Sequence, residues 1–160
     1  MHTENGLFAD AESTAWSPLA DASSTSVVSI VADVMTAAPM AVGPKSSVLQ
    51  LVHIFHAKQF RHLLVTETDG RLLGIVSDRD VGRCFGPSGR PDEASLEAIR
   101  TEDVMSRDVI TIDRDATLTA AIDLMYEQGV SCLPVVSGER LVGIITTTDM
   151  LRLLRRMLSN

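Results

Sequence analysis

A chain of 160 residues, 45% of them hydrophobic, has apolar material for one ordinary packed domain or two very small ones. Its formal net charge of −7 opposes a general nucleic-acid binder, which needs a basic face, but leaves room for a local site for a small anion. No stretch approaches the ~18 continuous apolar residues of a membrane span, and no basic segment followed by an apolar run marks a signal peptide, so a cytoplasmic protein with no membrane partner is expected.

Taken in chain order, residues 1–28 are rich in Ser, Thr, Ala, Asp and Glu without sustained period and read as a flexible tail, with Trp16 its one anomaly. The rest of the chain says one thing twice. Asp33-Val34-Met35 returns as Asp103-Val104-Met105, and Leu72-Leu73-Gly74-Ile75-Val76-Ser77 as Leu141-Val142-Gly143-Ile144-Ile145-Thr146. The division that follows is repeat one over 29–86, a linker over 87–100 and repeat two over 101–158. A repeat of about 55 residues is marginal alone, so the pair is expected to fold together around a pseudo-twofold axis, with a ligand cleft between the copies.

Each repeat opens with a short apolar turn, Ile30 to Met35 and Thr101 to Met105, then a short strand near Met40–Val42 and Ile110–Ile112. A helix follows. Val48, Leu51, Val52 and Phe55 in copy one, and Leu118, Ala121, Ile122 and Met125 in copy two, fall at i, i+3, i+4 and i+7, the amphipathic signature. Asp115 is the expected N-cap of the second of these helices and Gly129 its C′ residue; Gln59 stands where copy two has that glycine, and would cost about 1 kcal/mol if the site needs positive φ. Two β-rich runs come next, Leu63–Glu67 and Leu72–Val76, joined through Asp69-Gly70, a hairpin signal; Leu133–Val136 and Leu141–Ile145 repeat the plan around Gly138. A second helix closes each copy, Asp78 to about Phe85 and Thr147 to Leu158. Ala94 to Arg100 in the linker adds a short helix through Leu96 and Ile99. The order is strand, helix, strand, strand, helix, twice: an α/β (α+β) fold of two βαββα units.

The segments that carry chemistry are Gly74-Ile75-Val76-Ser77-x-x-Asp80 and Gly143-Ile144-Ile145-Thr146-x-x-Asp149. Each places a hydroxyl and a carboxylate at a helix start. A hydroxyl three residues before an acid is also the signature of a capping box, so the pair has a purely structural reading. Repetition at equivalent places favours a binding role as well: a helix N-terminus offers free N–H groups to an anion, and a carboxylate beside it can accept both hydroxyls of a ribose. The two roles can coexist, because a carboxylate has room for several donors.

With Asp-Val-Met-Thr near the first start, the His-Leu-Leu-Val and Cys-Leu-Pro-Val strands and Gly-Ile-Val-Ser-Asp-Arg-Asp, the chain resembles a tandem pair of CBS domains (a Bateman module) of the stand-alone bacterial or archaeal type over roughly residues 30–157. That resemblance implies βαββα units paired through their sheets, with two clefts per pair that take adenosine compounds such as AMP, ADP, ATP or S-adenosylmethionine as effectors rather than catalytic cofactors. It implies a regulatory, non-enzymatic protein acting on an unidentified partner. Carried over by position, one cleft would hold a ribose on Ser77 and Asp80, a phosphate near Arg61, His62 and Arg79, and adenine between Ser106, Thr111 and Val130. The other would use Thr146 and Asp149, with Ser131 and Cys132 at the phosphate and Thr36, Ala41 and Phe60 as adenine walls. Copy one departs from the family's Leu-Pro-Val, having Leu64 for the proline.

Other motifs read as structure. His53 and His56, at i, i+3, lack further ligands for a metal and fit a solvated helix face. Cys84 and Cys132 have no metal or redox spacing. No Ser-His-Asp, Cys-His or paired-carboxylate set stands outside the repeats, so no enzyme is expected. Leu51, Val52, Leu151, Leu154 and Met157 exceed what one small body needs, and a twofold homodimer through those helices is expected. The alternative function is a ligand-free association module.

Overall fold

The computed structural model describes residues 29–86, 89 and 92–159; the expected tail, with Trp16, lies outside them. The elements are α1 (Val31–Val34), β1 (Thr36–Ala37), β2 (Ala41–Val42), α2 (Val48–Lys58), β3 (His62–Thr66), β4 (Leu72–Ser77), α3 (Asp78–Gly82), α4 (Glu93–Ala98), α5 (Thr101–Val104), β5 (Ile112–Asp113), α6 (Leu118–Gln128), β6 (Cys132–Ser137), β7 (Arg140–Thr146) and α7 (Thr147–Leu158). Two βαββα units are therefore present: β2-α2-β3-β4-α3 and β5-α6-β6-β7-α7. In each, the first strand pairs parallel with the second and the second antiparallel with the third. Both hairpins carry a glycine at positive φ in the turn, Gly70 at 87° and Gly138 at 63°, a conformation that L side chains resist.

The amphipathic helices form where the spacing places them. Val48, Leu51 and Phe55 are buried on α2, and Leu118, Ala121 and Met125 on α6. Ile122 departs from the expectation: it stays 49% exposed on the outer face of α6. The N-caps are Ser47, accepting from the Gln50 N–H, and Thr117, accepting from the Ala120 N–H. Thr117 displaces Asp115 from the expected role because it alone stands immediately before the first helical turn. Both helices end in a left-handed residue, Gln59 at φ 54° and Gly129 at φ 63°, so copy one holds a glutamine where copy two uses glycine. The closing helix of copy one is shorter than expected, ending at Gly82.

The sequence repeats are not the packing units. Val31 of α1 is buried in the core of copy two, with Ile112, Leu118, Ala121, Met125, Leu133, Val135 and Ile145. The Val31 and Ala32 N–H groups donate to the carbonyls of Ala116 and Arg114. Reciprocally, Val104 and Met105 pack on the core of copy one, and the fully buried Thr101 donates through both its N–H and its hydroxyl to the Ser46 carbonyl. β1 joins β7 as an edge strand, antiparallel, with Thr36 opposite Ile144. On the other side Ile75 and Ser106 exchange two backbone bonds, at 3.0 and 2.9 Å. Each copy thus lends its opening segment to the other, so neither core is complete alone.

Residues 93–98 of the expected linker form α4, and this helix belongs to the core of copy one. Leu96 is fully buried there, the Ile99 carbonyl accepts from the Val48 N–H, and the Ser47 hydroxyl donates to Glu97 at 2.9 Å.

Candidate functional site

β4 and β7 each deliver a hydroxyl to the start of a helix. Ser77 is the N-cap of α3: its Oγ accepts from the Asp80 N–H and donates to Asp80 Oδ2 at 2.6 Å, while its own N–H donates to the same oxygen at 2.9 Å. Thr146 and Asp149 repeat this at α7, with 2.7 and 2.9 Å for the corresponding bonds. Both pairs are complete capping boxes. The second carboxylate oxygen is engaged too: Arg83 donates to Asp80 Oδ1 at 2.9 Å, and Arg152 to Asp149 Oδ1 at 3.1 Å. These arginines escaped the sequence reading, although Arg at i+3 from the aspartate recurs in both copies and was a signal available to it. Each is largely exposed and each carboxylate mostly covered, so the ion pair roofs the carboxylate.

A cavity of about 380 Å³ opens between the copies beside the first of these boxes. Copy one contributes His62, Ile75, Ser77, Arg79 and Asp80 to it. Copy two contributes Ser106, Asp108, Val109 and Ile110 from the loop before β5, and Gly129, Val130, Ser131, Cys132 and Pro134 from the entry to β6. The arrangement follows from topology: β3 and β4 pair with His62 opposite Ser77, and the Ile75–Ser106 bridge brings the opening segment of copy two across that strand pair.

Ser77, Asp80, His62, Arg79, Ser106 and Val130 of the expected first cleft are therefore brought together. Arg61 does not line this cavity; it is exposed, and its carbonyl accepts from the Asp78 N–H. Thr111 lies in a different cavity. Ser131 and Cys132, expected in the second cleft, line the first, because the entry to β6 lies at the junction of the copies. Thr146 and Asp149 line neither of these two cavities. Thr36 sits in β1, Ala41 is half-buried in β2 and Phe60 is 41% exposed. Asp108 was not foreseen: its place in the wall follows from the loop's path and no pattern in the sequence marks it.

Burial lowers the His62 pKa from its ordinary 6.5, with Arg61 and Arg79 acting the same way and Asp78 and Asp80 opposing. Burial pushes the Cys132 thiol up to about 11, which leaves it protonated and unreactive near neutrality. The cavity so combines apolar walls, the Ser77 hydroxyl, the Asp80 carboxylate, an arginine and a half-buried histidine. Among the described residues no group of three or more His, Cys, Asp or Glu could hold a metal, and no helix is long and apolar enough to cross a membrane.

The family model for the CBS domain matches the chain twice, over residues 31–85 and 102–156. A homoserine O-acetyltransferase of Methanococcoides burtonii is 32% identical over 125 residues, 78% of this chain and 24% of that protein; the chain thus spans about a quarter of this relative's length. Among solved structures, a Vibrio cholerae protein assigned to acetoin utilization superposes with a TM-score of 0.74 at 29% identity, covering 83% of this chain and 95% of the other. The CBS domain pair of protein MJ0100, solved with 5′-methylthioadenosine and S-adenosyl-L-methionine, superposes with a TM-score of 0.66 at 25% identity over 79% of this chain and 99% of its own. With both copies matched and the paired βαββα units in place, the chain belongs to the CBS-domain family.

Proposed function

We propose that this chain is a regulatory module that binds an adenosine compound (AMP, ADP, ATP or S-adenosylmethionine) between its copies and signals through a partner protein or a dimer rearrangement, without catalysis. The observation that carries this reading is the cavity in which the Ser77–Asp80 box from one copy faces Ser106 and Val130 from the other. Asp80 Oδ1 keeps lone-pair capacity beyond its bond to Arg83, so ribose hydroxyls have an acceptor there. Arg79 and His62 stand beside it for a phosphate, since guanidinium–phosphate bonds are charge-assisted. The MJ0100 pair, at 25% identity, supports adenosine compounds as the ligand class. The effect on a partner requires that the ligand bind two arrangements of the copies unequally.

Thermal-shift and calorimetric titration with the four compounds tests the proposal. A Kd between about 1 μM and 1 mM is expected for at least one of them. A ligand at 100 times its Kd stabilises by about 2.7 kcal/mol, a readily seen shift.

One observation favours the second reading, a ligand-free association module. Both oxygens of Asp80 and of Asp149 already hold partners, so capping alone accounts for the repeated motif. No heat and no thermal shift with the whole panel at millimolar concentration decides for that reading.

A further inference from the structure

Arg71 and Arg140 hold equivalent places in the two repeats, and the fold sets them opposite each other as an antiparallel bridge between the two hairpins. The Leu72 N–H donates to the Glu139 carbonyl at 3.2 Å and the Leu141 N–H to the Gly70 carbonyl at 3.0 Å. These bonds flank the arginines instead of joining them. That makes Arg71 and Arg140 a non-hydrogen-bonded pair, the position at which opposed side chains approach most closely. Like charges so placed are destabilising.

Arg107 adds a third cation. With Arg71 and Thr111 it lines a cavity of about 240 Å³ that Glu139 also borders. Glu139 is the one acidic residue of that lining, and among the described residues it forms no ion pair with the three arginines. Arg71 reaches Glu67 only at 3.9 Å, with both side chains well exposed, a pair of small worth. Among the described residues, Arg107 and Arg140 make no ion pair. Arg107 donates to the Glu102 carbonyl at 3.4 Å, and the Arg140 guanidinium lies beside Gly70. In a chain of net charge −7, two arginines share one cavity wall at the junction of the copies, and a third stands opposite one of them.

We propose that this junction is a binding site for a small phosphate-type polyanion, distinct from the cleft of Ser77 and Asp80. Guanidinium forks recognise phosphate oxygens bidentately, and the Thr111 hydroxyl supplies a further donor. Such an anion offsets the repulsion between Arg71 and Arg140 and ties the two hairpins across the pseudo-twofold axis. Val109 lines both cavities, so an anion here also fixes a wall of the neighbouring cleft. The inference is independent of the adenosine reading.

The probe is inorganic pyrophosphate, titrated calorimetrically at low ionic strength into the full chain. Wild type binds it. Arg71→Gln and Arg107→Gln each weaken binding about tenfold or more, as loss of a charge-assisted bond demands. Arg155→Gln, in an exposed arginine of α7 that lines neither cavity, leaves binding unchanged. Without pyrophosphate, Arg140→Gln raises the melting temperature, because the repulsion is relieved, and this reading shows that the variant folds. Wild type failing to bind at millimolar pyrophosphate overturns the proposal. So does binding that survives both Arg71→Gln and Arg107→Gln but is lost in Arg79→Gln, which places the anion in the other cleft, and so does a lowered melting temperature for Arg140→Gln.

Discussion

The Met105 sulfur lies 2.7 Å from the point where a Cβ on Gly74 would stand, and the Ser106 carbonyl oxygen 2.8 Å from it. Gly143 meets Met35 and the Thr36 carbonyl in the same way from the other copy. The glycine that recurs in both copies is therefore a packing requirement: it lets the opening segment of one copy cross the last strand of the other.

Gly74→Ala tests that contact. The backbone carbonyl of Ser106 cannot retreat without loosening its two bonds to Ile75. We expect a loss of about 1–3 kcal/mol in urea unfolding, the usual cost of overpacking. Gly82→Ala, where an added Cβ meets nothing within 4 Å, is the control and should cost no stability.

The repeats, the two βαββα units and the caps at Ser77 and Thr146 were legible because each rests on local pattern: period, turn chemistry, and a hydroxyl three residues before an acid. The exchange of opening segments was not. Val31 and Thr101 look like ordinary members of their own repeats, and nothing in a short apolar turn says which sheet it will cover. Which cavity a side chain lines is hidden for the same reason. Ser131 and Cys132 line the cavity of Ser77 through the reciprocal packing, which acts over a long sequence separation.

Leu96→Ala asks whether residues 93–98 are a linker or part of a core. Leu96 is fully buried against α2, so we expect a loss of about 2–5 kcal/mol in denaturant unfolding, the range for a buried leucine. A passive linker would lose under about 0.5 kcal/mol.

The expected homodimer can use only the α7 part of the face the sequence suggested. Leu51 is fully buried and Val52 half-buried, so neither is available. Leu151, Leu154 and Met157 are 65%, 50% and 68% exposed along α7, and Ile122 and Tyr126 are exposed on α6. We expect wild type at tens of micromolar to scatter light as a dimer of the 17.3 kDa chain, and Leu151→Glu with Leu154→Glu to return it to the monomer. A wild-type mass of one chain removes the dimer.

His62 makes stability depend on pH. Its folded pKa lies below 6.5, so the unfolded chain binds the proton more readily than the folded one. The histidine's stabilising contribution is complete above about pH 6.5 and is lost as pH falls through the folded pKa. The charged groups that set its folded value are Arg61 and Arg79, which lower it, and Asp78 and Asp80, which raise it. The difference in melting temperature between wild type and His62→Gln should therefore shift against wild type as pH drops below that range. A difference independent of pH from 8 to 5 contradicts the burial of this ring.

Asp80 and Asp149 separate capping from binding, because the fold uses them identically and the cavity does not. Each holds a cap hydroxyl, a cap N–H and an arginine. Asp80→Ala and Asp149→Ala should therefore cost comparable stability without ligand, about 0.5–2 kcal/mol each. Only Asp80 lines the cavity with Arg79 and His62. For AMP we expect Asp80→Ala to lose about 1.5–3 kcal/mol of binding, roughly 10- to 150-fold, and Asp149→Ala to lose much less. Calorimetry on both variants, below their own melting temperatures, keeps a lost cap from passing for a lost contact. If Asp149→Ala abolishes AMP binding while Asp80→Ala leaves it intact, the ligand belongs beside α7 and the assignment of the clefts is reversed.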